Sequence, residues 1–510
     1  MDRHQDPALQ TAQPAPEGRG DVCPAGTDQG RPTDLSLFAV RVDAVASRAA
    51  LVVPPETPIR EAARIMLKEG VGSLLVGDGP ANAAGIVTDT DLRKAVALRR
   101  DLESGVRTIM SGPVASIAGH ESLFDALLAM MARKVRHLAV TGAAGSIGVI
   151  TAHDILLLHG ASPLSLFQEI RAQRDFDGIY PLLSKAPRVI QGLMDGGARA
   201  GHVTRLITVV NDLILHKIIE LTHAQIGPPP LAYCWMAMGS EGRREQTFAT
   251  DQDNALILAD SPDEPVRRAA AVYFEAFAGR VVGHLEKAGF PLCKGNMMAV
   301  NPVWRKSLSA WKAAFDDWMA VPEPTQVLHS TIFFDFRGVA GTLELAGELR
   351  GHVVRAAPQS GIFLHFLARD CLSGRPPLTL FRGIAVDKSG EHKHTLDIKH
   401  RALVPFQDFA RVLALAHGVA ETGTLPRMAA LVRGGHVPEA LGREAAQAFE
   451  FLLTLKLAHQ LAQATRGLPP DTRIDPRDLS EMDQGTLRDA LSVIGAMQSF
   501  VKDVFHLAQG

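Results

Sequence analysis

A duplication in the first third of the chain constrains its fold more than any other feature. Ile59, Ala62, Met66, Val71, Leu74 and Val76 recur 64 positions later as Leu123, Ala126, Met130, Val135, Leu138 and Val140. A hairpin one residue shorter in the second copy then moves the offset to 63, so GIVTDTD (Gly85 to Asp91) matches GVITAHD (Gly148 to Asp154). The first half of each copy has the period of a helix with one buried face, and VGSLLV or VRHLAV reads as a strand. Each copy therefore predicts helix, strand, turn, strand, helix. A unit this short is expected to pack against its twin as one module.

The rest of the 510 residues divides by composition. Residues 1–36 are rich in Pro, Gly, Gln and Asp with almost no large apolar side chains, so they are expected to be a disordered tail. The paired repeats follow at 37–161, as copies of about 37–100 and 101–161. Residues 162–228 form a helical connector whose stripe is Ile207, Val210, Ile214, Ile218 and Leu221; Pro228 to Pro230 end it. A separate unit is expected at 229–345. Residues 346–510 are mainly helical, with LTLFRGIAVD and HTLDIKHRALVPF read as a small hairpin; Asp397, Lys399 and Arg411 are read as members of surface ion pairs, with an active-site role as the alternative.

With 46% hydrophobic residues, a net charge of −2 and acids interspersed among the arginines, no global signature for nucleic acid or an acidic membrane surface exists. The four cysteines are scattered, which gives neither a zinc cluster nor a disulfide framework. The apolar stretch Leu206 to Leu221 is interrupted by Asn211, Asp212, His216 and Lys217, so it does not read as a membrane span. No basic-then-apolar leader opens the sequence, and a cytoplasmic location is expected.

The chemistry is concentrated in MGSEGRREQTFATDQDNALIL, Met238 to Leu258. An apolar run, LAYCWMAM, reads as a buried strand and is broken by Gly239-Ser240. Asp251-Gln252-Asp253 then enters a second apolar run. On a strand, residues i and i+2 share a face, so Asp251 and Asp253 would sit side by side. Two such carboxylates repel unless a cation lies between them, and Mg²⁺ shared with substrate phosphates is the usual solution. Taken alone, an Asp-x-Asp pair is weak evidence; exposed acids on a turn-capped strand pair give the same pattern. A further acid, Asp335, interrupts the aromatic run STIFFDFRGV, where an unpaired carboxylate would be costly; a metal or Arg337 is expected beside it.

These motifs resemble known families. Gly85, Thr88, Asp91 and Gly148, Thr151, Asp154 match the strand-to-helix signature of tandem CBS domains (the cystathionine-β-synthase type). That resemblance implies that Thr88, Asp91, Thr151 and Asp154 bind the ribose of an adenine nucleotide between the copies; the bland alternative is that each Thr and Asp only caps its helix. GSEGRREQTFATDQDN resembles the DNA polymerase β-type nucleotidyltransferase fold, and more closely PII-protein uridylyltransferases and glutamine synthetase adenylyltransferases. From about residue 40 onward the chain is similar to bacterial signal-transduction proteins that join paired CBS domains to a nucleotidyltransferase and its substrate-binding domain. The implied fold is multidomain: an α+β CBS pair, a mixed sheet with helices, and a helical C-terminal domain.

By that resemblance Gly239, Ser240, Arg243 and Arg244 bind the NTP phosphates, while Asp251, Asp253 and Asp335 are catalytic and hold two Mg²⁺ ions. The implied activity is CBS-regulated transfer of a nucleoside monophosphate from an NTP to an acceptor hydroxyl, with a protein as acceptor, as in PII uridylylation. The chain departs from the uridylyltransferases in lacking an HD-type hydrolase segment and amino-acid-sensing domains. The alternatives are a non-catalytic adenine-nucleotide sensor and a small-molecule nucleotidyltransferase. A homodimer is expected, with neither membrane nor nucleic acid as partner.

Overall fold

The duplicated segments fold into two small sheets of one construction. The computed structural model describes residues 40–46, 50–79, 82–142, 145–152, 154–155, 163–195, 198–248, 250–320, 331–379 and 383–507, and the expected disordered tail lies outside them. In the first copy Val52–Val53 (β1), Ser73–Gly77 (β2) and Ala83–Thr88 (β3) pair in that order, β1 parallel and β3 antiparallel to β2. In the second, Ser116–Ala118 (β4), His137–Gly142 (β5) and Gly145–Thr151 (β6) repeat the arrangement. Ser73 faces Thr88 as His137 faces Thr151, and both hairpins slip register at the same place, after Val76 and after Val140.

Helices Ile59–Glu69 (α1) and Asp89–Ala97 (α2) belong to the first copy, and Leu123–Arg133 (α3) to the second. The duplicated apolar positions are the buried ones: Ile59, Ala62 and Met66 on α1, and Leu123, Ala126 and Met130 on α3. The copies differ in their cover. Leu67 on α1 is exposed, whereas its counterpart Met131 is buried in a core shared with the connector.

The connector comprises Pro163–Ala172 (α4), Ala186–Asp195 (α5) and the long helix Ala200–Ile226 (α6). Ile207, Val210, Ile214 and Ile218 are buried as the stripe requires. α6 packs on α3, and Arg205 on α6 meets Asp125 on α3 at 2.8 Å. No described helix is long and apolar enough to cross a membrane.

Next comes a four-stranded mixed sheet of Tyr233–Ala237 (β7), Asn254–Leu258 (β8), Arg305–Ser307 (β9) and Arg337–Gly341 (β10), in the order β10-β7-β8-β9. β8 runs antiparallel to β7 and parallel to β9. All five β7 residues are buried because both faces of the sheet are covered. Tyr233 and Trp235 face a core with α6 and helix Glu264–Lys287 (α7). Cys234 and Met236 face the opposite core, with helices Leu308–Ala320 (α8) and Leu343–Ala356 (α9).

That second core runs without a break into the C-terminal helices: Gly361–Cys371 (α10), Val404–Ala416 (α11), Thr424–Arg433 (α12), Glu439–Thr465 (α13) and Glu481–Val504 (α14). Among the described residues, the expected hairpin is not formed as such. Leu396–Asp397 (β11) pairs instead with Arg473–Ile474 (β12), and the upstream run closes on itself by a bridge between Leu378 and Ile384. Asp397 and Arg411 are buried rather than members of surface ion pairs.

Candidate active site

β7 ends in a turn that folds back over the loop leading into β8. The Met238 N–H donates to the Asp253 carbonyl at 2.9 Å, joining turn to loop. Gly239 takes φ +57°, and a Cβ there would stand 3.0 Å from both Asp253 Oδ2 and Ile332. Glycine is thus what lets the turn lie against the acids. At Gly242 a Cβ would fall 1.8 Å from the Asp335 carbonyl oxygen, a contact no side chain tolerates. Between them the Ser240 hydroxyl is half-buried and has no hydrogen-bond partner among the described residues.

Asp251 and Asp253 do come together, though not on a strand. Both lie in the loop before β8, where Gln252 bridges to Leu292 and donates its side-chain amide to the Phe290 carbonyl at 2.9 Å. Ligand atoms of Asp251, Asp253 and Cys293 all lie within 4.8 Å of one another. Burial, then the neighbouring Asp251 charge, pushes the Asp253 carboxyl up to about 7. Its Oδ1 is buried with no hydrogen-bond partner among the described residues. Burial likewise pushes the Cys293 thiol up to about 11, so it offers a neutral S–H rather than a thiolate. Two clustered carboxylates, one with an orphaned oxygen, fit a hard divalent cation completed by phosphate oxygens and water. Cys293 was not expected here.

Asp335 departs from the expectation of a third metal ligand. It follows a 3₁₀ turn, Thr331–Phe334, instead of sitting on a strand, and it is fully buried. Its Oδ2 accepts from Arg243 at 2.7 Å and from Arg411 at 2.6 Å, and its Oδ1 accepts from Arg427 at 2.6 Å. The three guanidiniums overcome the cost of burial and hold this carboxyl far below the usual range, leaving it no basicity. Asp335 is also outside the Asp251–Asp253–Cys293 cluster. Arg337 goes elsewhere, pairing with Asp212 of α6 through both terminal nitrogens at 2.9 and 2.8 Å.

Arg243 is likewise committed, to Asp335 and, at 2.8 Å, to Glu245. These bonds use its Nε and one Nη1 donor, and its charge still acts on Asp253. Glu245 accepts from the Thr424 N–H at 2.7 Å and from Gln407 at 3.1 Å, which pins the turn to α11 and α12. Arg244 has φ +60° and opens onto a different cavity, lined also by Arg199, Arg205 and Thr422. Of the four residues expected at the phosphates, Gly239 lies against the acid loop with Ser240 next to it, the charge of Arg243 acts on Asp253 from its bonds to Asp335 and Glu245, and Arg244 opens onto the other cavity.

The C-terminal domain brings Lys399 to the acid loop and places Lys456 beside it. Lys456 on α13 is 8% exposed and its ammonium has no hydrogen bond or ion pair among the described residues. Burial first, then the charge of Lys399, lowers it to about 7. Lys399, in the turn after β11, in turn stabilises the charged form of Asp253. The signal for Lys456 is present in the sequence: it falls on the stripe Phe449, Leu452, Leu453, Leu457, Leu461, where a charge contradicts the apolar pattern.

In the paired repeats, Thr88 and Asp91 bond each other at 2.7 Å, as do Thr151 and Asp154. Each Asp also accepts from the backbone N–H of its Thr, at 3.0 and 2.8 Å, so both pairs serve as helix caps. His137 feels Asp154 of its own copy and Asp89 and Asp91 of the other, although burial dominates and lowers its pKa. The carboxylates of the two copies therefore converge on one cleft.

Comparison with known proteins covers all three parts. The CBS domain model matches residues 42–98 and 106–159. The model described as "Putative nucleotidyltransferase DUF294" matches 184–325, beginning inside the helical connector. Its companion, "Putative nucleotidyltransferase substrate binding domain", matches 361–505. An uncharacterised 17.7 kDa protein of Acidianus ambivalens is 33% identical over 119 residues, 23% of this chain and 72% of that one. A 33.4 kDa protein of Thermofilum pendens is 29% identical over 100 residues, 19% of this chain and 32% of that one. Among solved structures, a CBS domain protein from Pyrobaculum aerophilum complexed with AMP shares 27% identity, covering 25% of this chain and 99% of that one with a TM-score of 0.23. With all three matches in one order along the sequence, the chain belongs to the proteins that join a tandem CBS pair to a DUF294 nucleotidyltransferase domain and its substrate-binding domain.

Proposed function

We propose that this protein transfers a nucleoside monophosphate from an NTP to an acceptor hydroxyl on a protein, under the control of an adenine nucleotide bound at the CBS pair. The observation that carries the reading is the orphaned, buried oxygen of Asp253 beside Asp251, against a glycine turn that a side chain at position 239 would block. Asp251 and Asp253 would hold Mg²⁺, which when bound supplies charge neutralisation at the phosphates. With Asp335 committed to arginines, the protein's own carboxylates serve one shared ion rather than the expected two. The Ser240 hydroxyl and the N–H groups of its turn donate to phosphate oxygens, and Lys399 faces the same charge from the C-terminal side with Lys456 behind it.

The test is incubation with each labelled NTP, Mg²⁺ and a cell lysate, beside Asp251→Asn, Asp253→Asn and Lys456→Met variants. Label on a protein band is expected with the parent chain, roughly a thousandfold less with either Asp variant, and a smaller loss with Lys456→Met. Nucleotide binding without label or pyrophosphate from any NTP would instead establish the non-catalytic sensor. The incomplete acid set favours that second reading. Label on a small molecule would replace the protein acceptor.

For the regulatory half, AMP, ADP and ATP titrated into the full chain by calorimetry are expected to bind the cleft at Thr88, Asp91, Thr151 and Asp154. Asp91→Asn and Asp154→Asn together should weaken binding about tenfold or more, because a charged acceptor for ribose hydroxyls is lost. Undiminished affinity in that double variant would reduce the four residues to helix caps. The route from cleft to active site is α6, tied to the second copy by Arg205–Asp125 and to the turn by Asp212–Arg337, whose guanidinium also donates to the Glu241 carbonyl at 2.9 Å.

A further inference from the structure

We infer that a second ligand site lies beneath the acid loop: a cavity of about 130 Å³ that takes a single-ring, uncharged compound able to donate a hydrogen bond. Its walls come from α4, Leu183, α5, α6, the loop before Asp251, Gly289-Phe290, the end of α13 and Pro470 beyond it. Ile190, Ile207, Val210 and Phe290 make it largely apolar, and no charged side chain lines it among the described residues. A phosphate or carboxylate ligand would enter without a counter-charge, so nucleotides are excluded. The size matches a ring, since an engineered apolar cavity of about 150 Å³ in another protein admits benzene.

Two polar atoms distinguish the cavity from a packing defect. Asn211 is 5% exposed and Thr247 3% exposed; both line the space, and Asn211 Oδ1 and Thr247 Oγ1 have no hydrogen-bond partner among the described residues. Buried acceptors left without donors are costly, and a ligand hydroxyl or ring N–H removes that cost. Apolar walls with a few fixed polar groups are the make-up of small-molecule sites in general.

The cavity's position gives the ligand a task. Thr247 and Thr250 close a turn through the Thr247 N–H to Thr250 Oγ1 bond of 3.2 Å, one residue before Asp251. The carbonyl of Phe290, which also lines the cavity, accepts from Gln252, which stands between the two acids. An occupant touches both segments that hold the Asp251–Asp253 loop, and it touches α5 and α6, which lead back to the CBS pair. It is an effector site whose filling steadies the acid loop.

Phenol and toluene are suitable probes, being alike in size and different in the donor. Calorimetry on the full chain should show phenol binding about tenfold more tightly than toluene. Hydrogen exchange at residues 246–253 should slow when phenol is bound. Asn211→Leu should bring the ratio towards one, and Ile207→Phe, which fills the space, should abolish both. Circular dichroism checks that each variant is folded, and the parent comparison stands without them. Equal binding of the two probes, no binding of either at about 10 mM, or unchanged binding by folded Ile207→Phe protein would overturn the site. None of these measurements needs nucleotidyl transfer, so their failure leaves the transferase reading untouched, and the converse holds.

Discussion

Replacing Asp253 by Asn is expected to make the metal-free protein more stable at pH 8 while abolishing transfer. The Asp253 carboxyl titrates near 7 in the folded protein against 3.8 as a free side chain, because burial and Asp251 disfavour its charge. A raised carboxyl pKa means the folded state holds its proton longer than the unfolded state. Stability from this group is therefore complete below about pH 4, declines as pH rises towards 7, and stays at its lowest above that. Asn carries no charge and escapes the decline, so the variant should gain on the order of 2–4 kcal/mol at pH 8 and almost nothing at pH 4. Denaturant titrations of the transferase region at pH 4.5, 6 and 8 give the profile. Added Mg²⁺ should stabilise the parent alone and narrow the gap at pH 8. An Asn variant that loses stability equally at all three pH values would remove Asp253 from the list of destabilised, function-bearing groups.

Such a group is legible in the sequence because it violates local pattern. Asp251 and Asp253 stand at the mouth of an apolar strand, and Gly239 breaks the preceding one; proximity followed from the antiparallel pairing of those two neighbours. The duplication was equally readable, since both copies bury the same positions and slip register at the same residue. The mistakes share one cause, partners distant in the chain. TIFFDF has strand composition, yet Thr331–Phe334 winds into a 3₁₀ turn. The groups that satisfy Asp335 come from Arg243, Arg411 and Arg427, 92, 76 and 92 residues away. Arg411 is expected in a surface ion pair, but α11 is buried continuously from Phe409 to Leu415 and takes Arg411 with it. Lys456 carried a visible signal, a cation on an apolar stripe, and only its neighbours Lys399 and Arg243, both of which also act on Asp253, give that signal a meaning.

Asp335→Ala is expected to be the most damaging single change in the transferase half, through stability rather than chemistry. Arg243, Arg411 and Arg427 have side chains 8%, 7% and 0% exposed, and Asp335 is the carboxylate all three share. Removing it leaves like charges crowded in the interior. Arg243 would keep Glu245 and Arg411 would keep Asp408, but Arg427 would retain only backbone carbonyls, those of Glu421 and Phe334. Breaking a buried ion pair from one side costs about 3–5 kcal/mol, and here three are broken together. Because Gly242 packs directly on the Asp335 backbone, the loss should reach the turn at Gly239-Ser240 and loosen its hold by α11 and α12. Pairing Asp335→Leu with Arg427→Met should recover part of the stability, since an apolar pair replaces a buried ionic one at little cost. A metal ligand behaves in the opposite way: its Asn variant keeps or gains stability in the absence of metal and loses only turnover. Should Asp335→Asn melt like the parent and fail only in transfer, the acid would belong to the reaction after all, and the arginine cluster would be its support.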